Sequence, residues 1–167
     1  MNIYVNTSSG FGSTTLGAFD RALYEAGVGN FNVIRMSSIL PPGSRLIRQR
    51  GFPQKGVNFG DRLYAVYCDA RTSTPGEIAV AALGWYQFTD KSGLFVEYDK
   101  VLSDANVAMA HEGALKDLKL SMQDLLINRE IEYEDKNFDS AIAVTSVESE
   151  PGCALAIAAF LTEPWRT

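Results

Sequence analysis

The chain has a single histidine, His111, in 167 residues. One imidazole excludes a histidine-rich metal centre. It also leaves a serine–histidine–aspartate triad resting on one residue of a helical segment with no partner motif around it. His111 therefore reads as a surface residue, and no metal is implied. Cysteine is scarce as well: Cys68 and Cys153 lie far apart and make no ligand spacing, so they read as buried free thiols of a cytosolic protein. No apolar run approaches the roughly 18 residues of a membrane span. The start "MNIYVNTSSGFG" lacks the basic flank and apolar centre of a signal peptide, so a cytoplasmic location away from membranes is expected. Positive charge is in deficit, with 15 Lys+Arg against 20 Asp+Glu and a net charge of −5. Without a basic cluster, nucleic acid is excluded as a partner. "GFGSTTLG" opens a helix, but no G-x-x-x-x-G-K-[ST] follows, so it reads as a turn or lid rather than a phosphate cradle.

What remains is an ordinary globular composition, 46% hydrophobic and 21% charged, of a length that fits one domain over residues 1–167. A first strand is expected at Ile3–Asn6, followed by the loop "TSSGFGST". The segment "TLGAFDRALYEAG" puts Leu16, Phe19, Leu23 and Ala26 on one helical face, with Gly27 to end it. A strand follows at Phe31–Ser37, then a Gly/Pro-rich loop from Pro41 to Gly60. Further strands are expected at Leu63–Asp69, at Ile78–Phe88, and in "LFVEY" after the turn Lys91–Gly93. Ser103 reads as the cap of a helix over 104–127, whose apolar steps are Val107, Ala110, Ala114, Leu118, Met122 and Leu125. "SAIAVTSVE" and "CALAIAAFL" close the chain on either side of Pro151–Gly152. Six or seven strands interspersed with two helices predict an α+β sandwich, sheets covered by helices.

The chemistry concentrates at "GNFNVIRMSSILPPGS", residues 29–44. A strand can simply stop before Pro41 and Pro42. The alternative is a peptide bond that the chain breaks itself. If the Ser37–Ser38 amide is held exposed to Ser38 Oγ, that hydroxyl can attack the Ser37 carbonyl and convert amide to ester. β-Elimination then releases the upstream chain, and hydrolysis of the dehydroalanine left behind gives ammonia and a pyruvoyl group. Only an oriented hydroxyl competes with amide resonance, and a polar neighbour such as Asn32 can hydrogen-bond the oxyanion. Elsewhere, alternation in "LFVEYDK" puts Glu97 on the same face as Phe95 unless a bulge intervenes. A carboxyl there faces either water, on an edge strand, or apolar surroundings that raise its pKa unless a partner compensates. Asp20, directly after Phe19 on the first helix, raises a milder version of the same question and reads as solvated.

The blocks "AFDRALYEAGVGNFNVIRMSSILPP", "TPGE", "LFVEYD" and "GCALAIAAFL", in that order, make the chain resemble the pyruvoyl-dependent arginine decarboxylases. The resemblance implies an αββα sandwich, two packed sheets flanked by helices. It implies cleavage between Ser37 and Ser38 into residues 1–37 and 38–167, with a covalent pyruvoyl cofactor from Ser38. Asn32 matches the residue that assists processing, Glu97 the proton donor, and Asp20 the carboxylate that reads the substrate's guanidinium, with Ser37 beside it in substrate binding. The implied reaction is L-arginine to agmatine and CO₂ through a Schiff base, serving polyamine synthesis or acid resistance. The implied assembly is a homo-oligomer, a trimer or a pair of trimers. Two alternatives stay open: the same chemistry on another amino acid, and an unprocessed, non-catalytic copy that binds or assembles with an active one.

Overall fold

The last strand, Gly152–Glu163, is buried at every position from Gly152 to Phe160. A strand achieves that only when both faces of its sheet are covered. The computed structural model describes residues 1–165 and supplies the covers. In chain order the elements are β1 (Asn2–Phe11), α1 (Thr15–Glu25), β2 (Asn32–Arg35), β3 (Ile39–Leu40), β4 (Arg45–Arg48) and β5 (Arg62–Thr72). They continue with β6 (Ile78–Gln87), β7 (Gly93–Leu102), α2 (Val107–Ile127), β8 (Phe138–Ser146) and β9 (Gly152–Glu163). One sheet runs β2-β5-β9-β1-β4, the other β3-β7-β6-β8.

Strand parity sorts the side chains into three cores. On β9, Cys153, Leu155, Ile157 and Ala159 pack under α1 against Ala18, Ala22 and Ala26. The alternate residues Ala154, Ala156, Ala158 and Phe160 face the other sheet, where they meet Ala79, Ala81, Leu83, Trp85 and Phe95. The second sheet sends Ile78, Val80, Ala82, Val96 and Tyr98 outward to Ala110, Ala114, Leu118, Met122 and Leu126 of α2. Helix, sheet, sheet and helix are therefore stacked in that order, the expected αββα sandwich.

The differences from expectation lie at element ends. β1 runs on through "TSSGF" because its serines are bonded within the fold. Ser8 Oγ donates to the Ala22 carbonyl at 2.7 Å, and Ser9 Oγ is 2.6 Å from Thr145 Oγ1. The stretch from Pro41 to Gly60 contains β4, which pairs in parallel with Asn2–Val5 of β1. Among the described residues there are thus nine strands rather than six or seven. α2 starts at Asn106, whose Oδ1 accepts the Met109 N–H at 2.9 Å, and not at Ser103, whose hydroxyl donates to Glu77. On α1 the alanines face the sheet while Leu16 is 68% exposed.

Alanine on α1 permits a close approach that Gly10 completes. A Cβ on Gly10 would lie 2.1 Å from the Ala18 carbonyl oxygen and 2.4 Å from the Ala22 nitrogen. Gly10→Ala should therefore push α1 off β1 and cost about 1–3 kcal/mol. Gly113 on α2 has open space at its Cβ position, so Gly113→Ala should stabilise by roughly 0.5–1 kcal/mol. Urea unfolding of the two variants checks this, with opposite shifts of midpoint expected.

Candidate active site

β2 belongs to the five-stranded sheet and β3 to the four-stranded one, so Met36, Ser37 and Ser38 carry the chain from one sheet to the other. Both ends of this crossover are held. The Met36 N–H donates to the Ala65 carbonyl at 2.9 Å on the first sheet, and the Phe95 N–H donates to the Ser38 carbonyl at 2.8 Å on the second. Between them Ser37 is exposed, and its carbonyl accepts the Ile39 N–H at 2.9 Å. β3 is only two residues long because Pro41 follows, and its pairing with β7 ends at Leu94. Among the described residues, no strand pairs with that edge of β7 beyond Leu94.

Glu97 lies on this stretch. The β6–β7 register is unbroken, with Leu83 opposite Glu97 and Trp85 opposite Phe95. Glu97 therefore shares the inward face of Phe95, as alternation predicts. Its surroundings are not simply apolar, however. Oε1 accepts the Ser38 hydroxyl at 2.7 Å, and Oε2 accepts Nη2 of Arg35 at 2.5 Å. The side chain is 21% exposed against 55% for Arg35. The compensating partner left open by the sequence is thus Arg35, which also stacks over the Tyr67 ring with its guanidinium carbon 5.5 Å from the centroid. The hydrogen bond to Glu97 raises the pKa of that guanidinium above its ordinary value.

A groove of about 600 Å³ opens beside these groups, lined by Ser38, Ile39, Phe95 and Glu97 and by Asp124 and Arg129 of α2. A second concavity, about 450 Å³, lies between β1 and α1 beside Arg21 and Arg50. Asp20, Asn32, Ser37, Ser38 and Glu97 do not line it. Asp20 is exposed on α1 and lines neither space. Asn32, also exposed, sits at the opposite end of β2 from the serines, where its amide donates to the Gly60 carbonyl at 2.6 Å. Within one chain, therefore, Ser37, Ser38 and Glu97 come together, while Asp20 and Asn32 stand apart. Arg35 is the residue missed from the sequence. Its signal was a charged residue in "NVIRMSS", two before the serine pair and available to a carboxyl that needed a cation.

A carboxylate bonded to a serine hydroxyl beside an exposed, tightly held peptide link is placed to take that hydroxyl's proton. The family model described as pyruvoyl-dependent arginine decarboxylase matches residues 2–164. The chain belongs to this family. A pyruvoyl-dependent arginine decarboxylase of Thermococcus sibiricus is 30% identical over 156 residues, covering 92% of this chain and 90% of the relative. One from Methanocaldococcus jannaschii is 31% identical over 154 residues, covering 89% and 82%.

For a member of the pyruvoyl-dependent arginine decarboxylase family, the thiol nearest the site deserves a check as a rival nucleophile. Cys68 is buried and donates to the Ala82 carbonyl at 3.2 Å and the Tyr98 carbonyl at 3.4 Å. Burial pushes its pKa up to about 12, and Cys153 is likewise pushed up to about 12 by burial. Both stay protonated at neutral pH, and a thiol without its thiolate is a poor nucleophile. The chemistry is thus left to oxygen. Iodoacetamide at pH 8 should label neither cysteine in the folded protein and both in urea, as read by intact mass.

Proposed function

We propose that this chain is a self-processing pyruvoyl enzyme that decarboxylates L-arginine to agmatine and CO₂. The observation that carries the reading is the Ser38 hydroxyl donating to Glu97 at 2.7 Å where the chain crosses between sheets, in a member of this family. Glu97 takes the hydroxyl proton as Oγ bonds to the Ser37 carbonyl carbon. The Ile39 N–H, already 2.9 Å from that carbonyl oxygen, stabilises the oxyanion. Collapse breaks the C–N bond and gives the ester. Loss of the Ser38 α-proton then expels the Ser37 carboxylate, and water replaces the nitrogen of the resulting imine, releasing ammonia.

The residues present fit the cofactor: residue 38 keeps its carbonyl on the Phe95 N–H and opens onto the groove. A pyruvoyl group there supplies a carbonyl for the substrate's amine and a sink for the electron pair left when CO₂ departs. Glu97, relieved of the Ser38 hydroxyl, is the acid that delivers a proton to the substrate Cα. A positioned acid typically contributes about 10²–10⁴-fold. Glu97 thus acts as base in maturation and as acid in turnover. Asp20 reads the guanidinium through two parallel hydrogen bonds. Since it is exposed and outside its own chain's groove, it serves the groove of a neighbouring copy, as does Asn32. The working unit is a trimer or a pair of trimers with sites between subunits.

Intact mass under denaturing conditions tests the reading. Two chains are expected, residues 1–37 and 38–167, the second lighter by one ammonia than its serine-headed peptide. Arginine should then yield agmatine. Ser38→Ala should stay one chain with no turnover. Asp20→Ala should be cleaved normally but lose arginine turnover by about 10²-fold or more, as expected when the substrate's guanidinium loses its paired hydrogen bonds. A cleaved wild-type protein that ignores arginine but decarboxylates another amino acid would move the substrate assignment alone. A wild-type chain that stays whole and still assembles would make it a non-catalytic partner.

A further inference from the structure

Glu97 needs both of its oxygens pointed, and the structure points each with a different group. Arg35 Nη2 lies 2.5 Å from Oε2 and Ser38 Oγ lies 2.7 Å from Oε1, so the carboxyl plane is fixed by a cation on one side and the reacting hydroxyl on the other. Arg35 is in turn anchored at two levels. Its backbone pairs with Ala65 of β5, and its guanidinium stacks on Tyr67 of the same strand.

We propose that Arg35 is a positioning residue for self-cleavage: it holds Oε2 of Glu97 so that Oε1 faces the Ser38 hydroxyl and receives its proton as the Ser37–Ser38 amide becomes an ester. The inference rests on the self-processing reading above. The balance is that of the first maturation step: the proton leaves Oγ for Oε1, the Oγ–C bond forms, and the C–N bond breaks as the nitrogen is protonated.

The other groups around Glu97 do not substitute for this cation. From β5 come the Tyr67 ring, already under Arg35, and the Cys68 thiol, kept neutral by burial. Asp99, two residues along β7, and Asp124 on α2 are carboxyls. Arg129 on α2 lines the same groove but donates Nη1 to the Leu125 carbonyl. Among the described residues, the one salt bridge of Glu97 is with Arg35. Lys100, which lines a space with Glu97, Asp99 and Asp124, donates Nζ to Asp117 instead. A neutral residue at position 35 therefore leaves Oε2 of Glu97 without the cation that points it.

The test is the rate of cleavage of freshly translated full-length chain at pH 7, followed on denaturing gels for wild type, Arg35→Gln, Arg35→Met and Arg35→Lys, each checked for folding by circular dichroism. Arg35→Gln should cleave about tenfold more slowly, because the carboxyl loses the group that points it. Arg35→Met, whose apolar stem still packs on Tyr67, should be as slow, which a packing role alone does not predict, and it carries the comparison if Arg35→Gln does not fold. Arg35→Lys keeps the charge but loses the planar fork; it should recover most of the wild-type rate. A neutral variant that cleaves at the wild-type rate overturns the proposal. So does Arg35→Lys as slow as the neutral variants. Wild type that never cleaves overturns the self-processing reading itself, a separate result from wild type cleaving and Arg35 proving indifferent.

Discussion

A carboxyl placed where an inward-facing row of apolar side chains gives out must be paired, and Glu97 is in that position. One step before it on the same face is Phe95, 1% exposed, and directly opposite is Leu83, fully buried. A charge moved toward such a setting loses hydration that only hydrogen-bonding partners restore. The two partners come from opposite sides of a chain crossing: Arg35 from the end of β2 and Ser38 from the start of the next sheet. Satisfying one carboxyl therefore dictates where both ends of the crossover lie. Half-exposure of Arg35 lets water screen the pair, so its main effect is on geometry more than on global stability.

That geometry depends on how near the sheets can come. The facing rows are rich in alanine, with Ala154, Ala156 and Ala158 on β9 against Ala79 and Ala81 on β6. Small residues bring the layers together, and the larger Trp85, Phe95 and Phe160 fill one end of the interface, with ring centroids 6.2 Å and 6.1 Å apart in successive pairs. A crossover of three residues, Met36 to Ser38, spans the layers because the gap is narrow. Bulkier side chains on the alanine rows would lengthen the crossing and draw Ser38 away from Glu97, although none of those rows touches either residue's function directly.

The parts of this arrangement carried by local pattern were readable in advance. Helical spacing identified both helices and most of the α2 face, alternation gave the inward orientation of Glu97, and "SSILPP" marked a strand end. The parts that depend on distant partners were not readable. β4 exists because Arg45–Arg48 lies beside Asn2–Val5, and nothing within "RLIRQR" requires that pairing. β1 runs past Asn6 because Ser8 and Ser9 find acceptors on α1 and β8. Small polar residues give no strand signal by themselves. Arg35 was visible as a residue but not as a partner, since 62 positions separate it from Glu97. The sequence pattern also could not tell that Asp20 and Asn32 stand outside the groove of their own chain.

A break between Ser37 and Ser38 falls where the fold can tolerate one. Everything before it that forms a strand, β1 and β2, belongs to the five-stranded sheet, and the four-stranded sheet is built entirely from residues after it. The strand ladders stop short of the link itself, β2 ending at Arg35 and β3 beginning at Ile39. β1 stays between β9 and β4, and β2 stays on β5, so the short piece remains a structural part of the larger one. After the proposed cleavage, residue 38 would keep its carbonyl on the Phe95 N–H, and the old strand end would keep Arg35 on Glu97. One carboxyl then spans the two sides of the gap. The proposed cleavage, with its cut end presented rigidly to a small molecule, calls for a scission point outside the strand ladders and between anchored residues. The passage between two sheets meets both conditions, because pairing stops there by construction while each sheet fixes its own side.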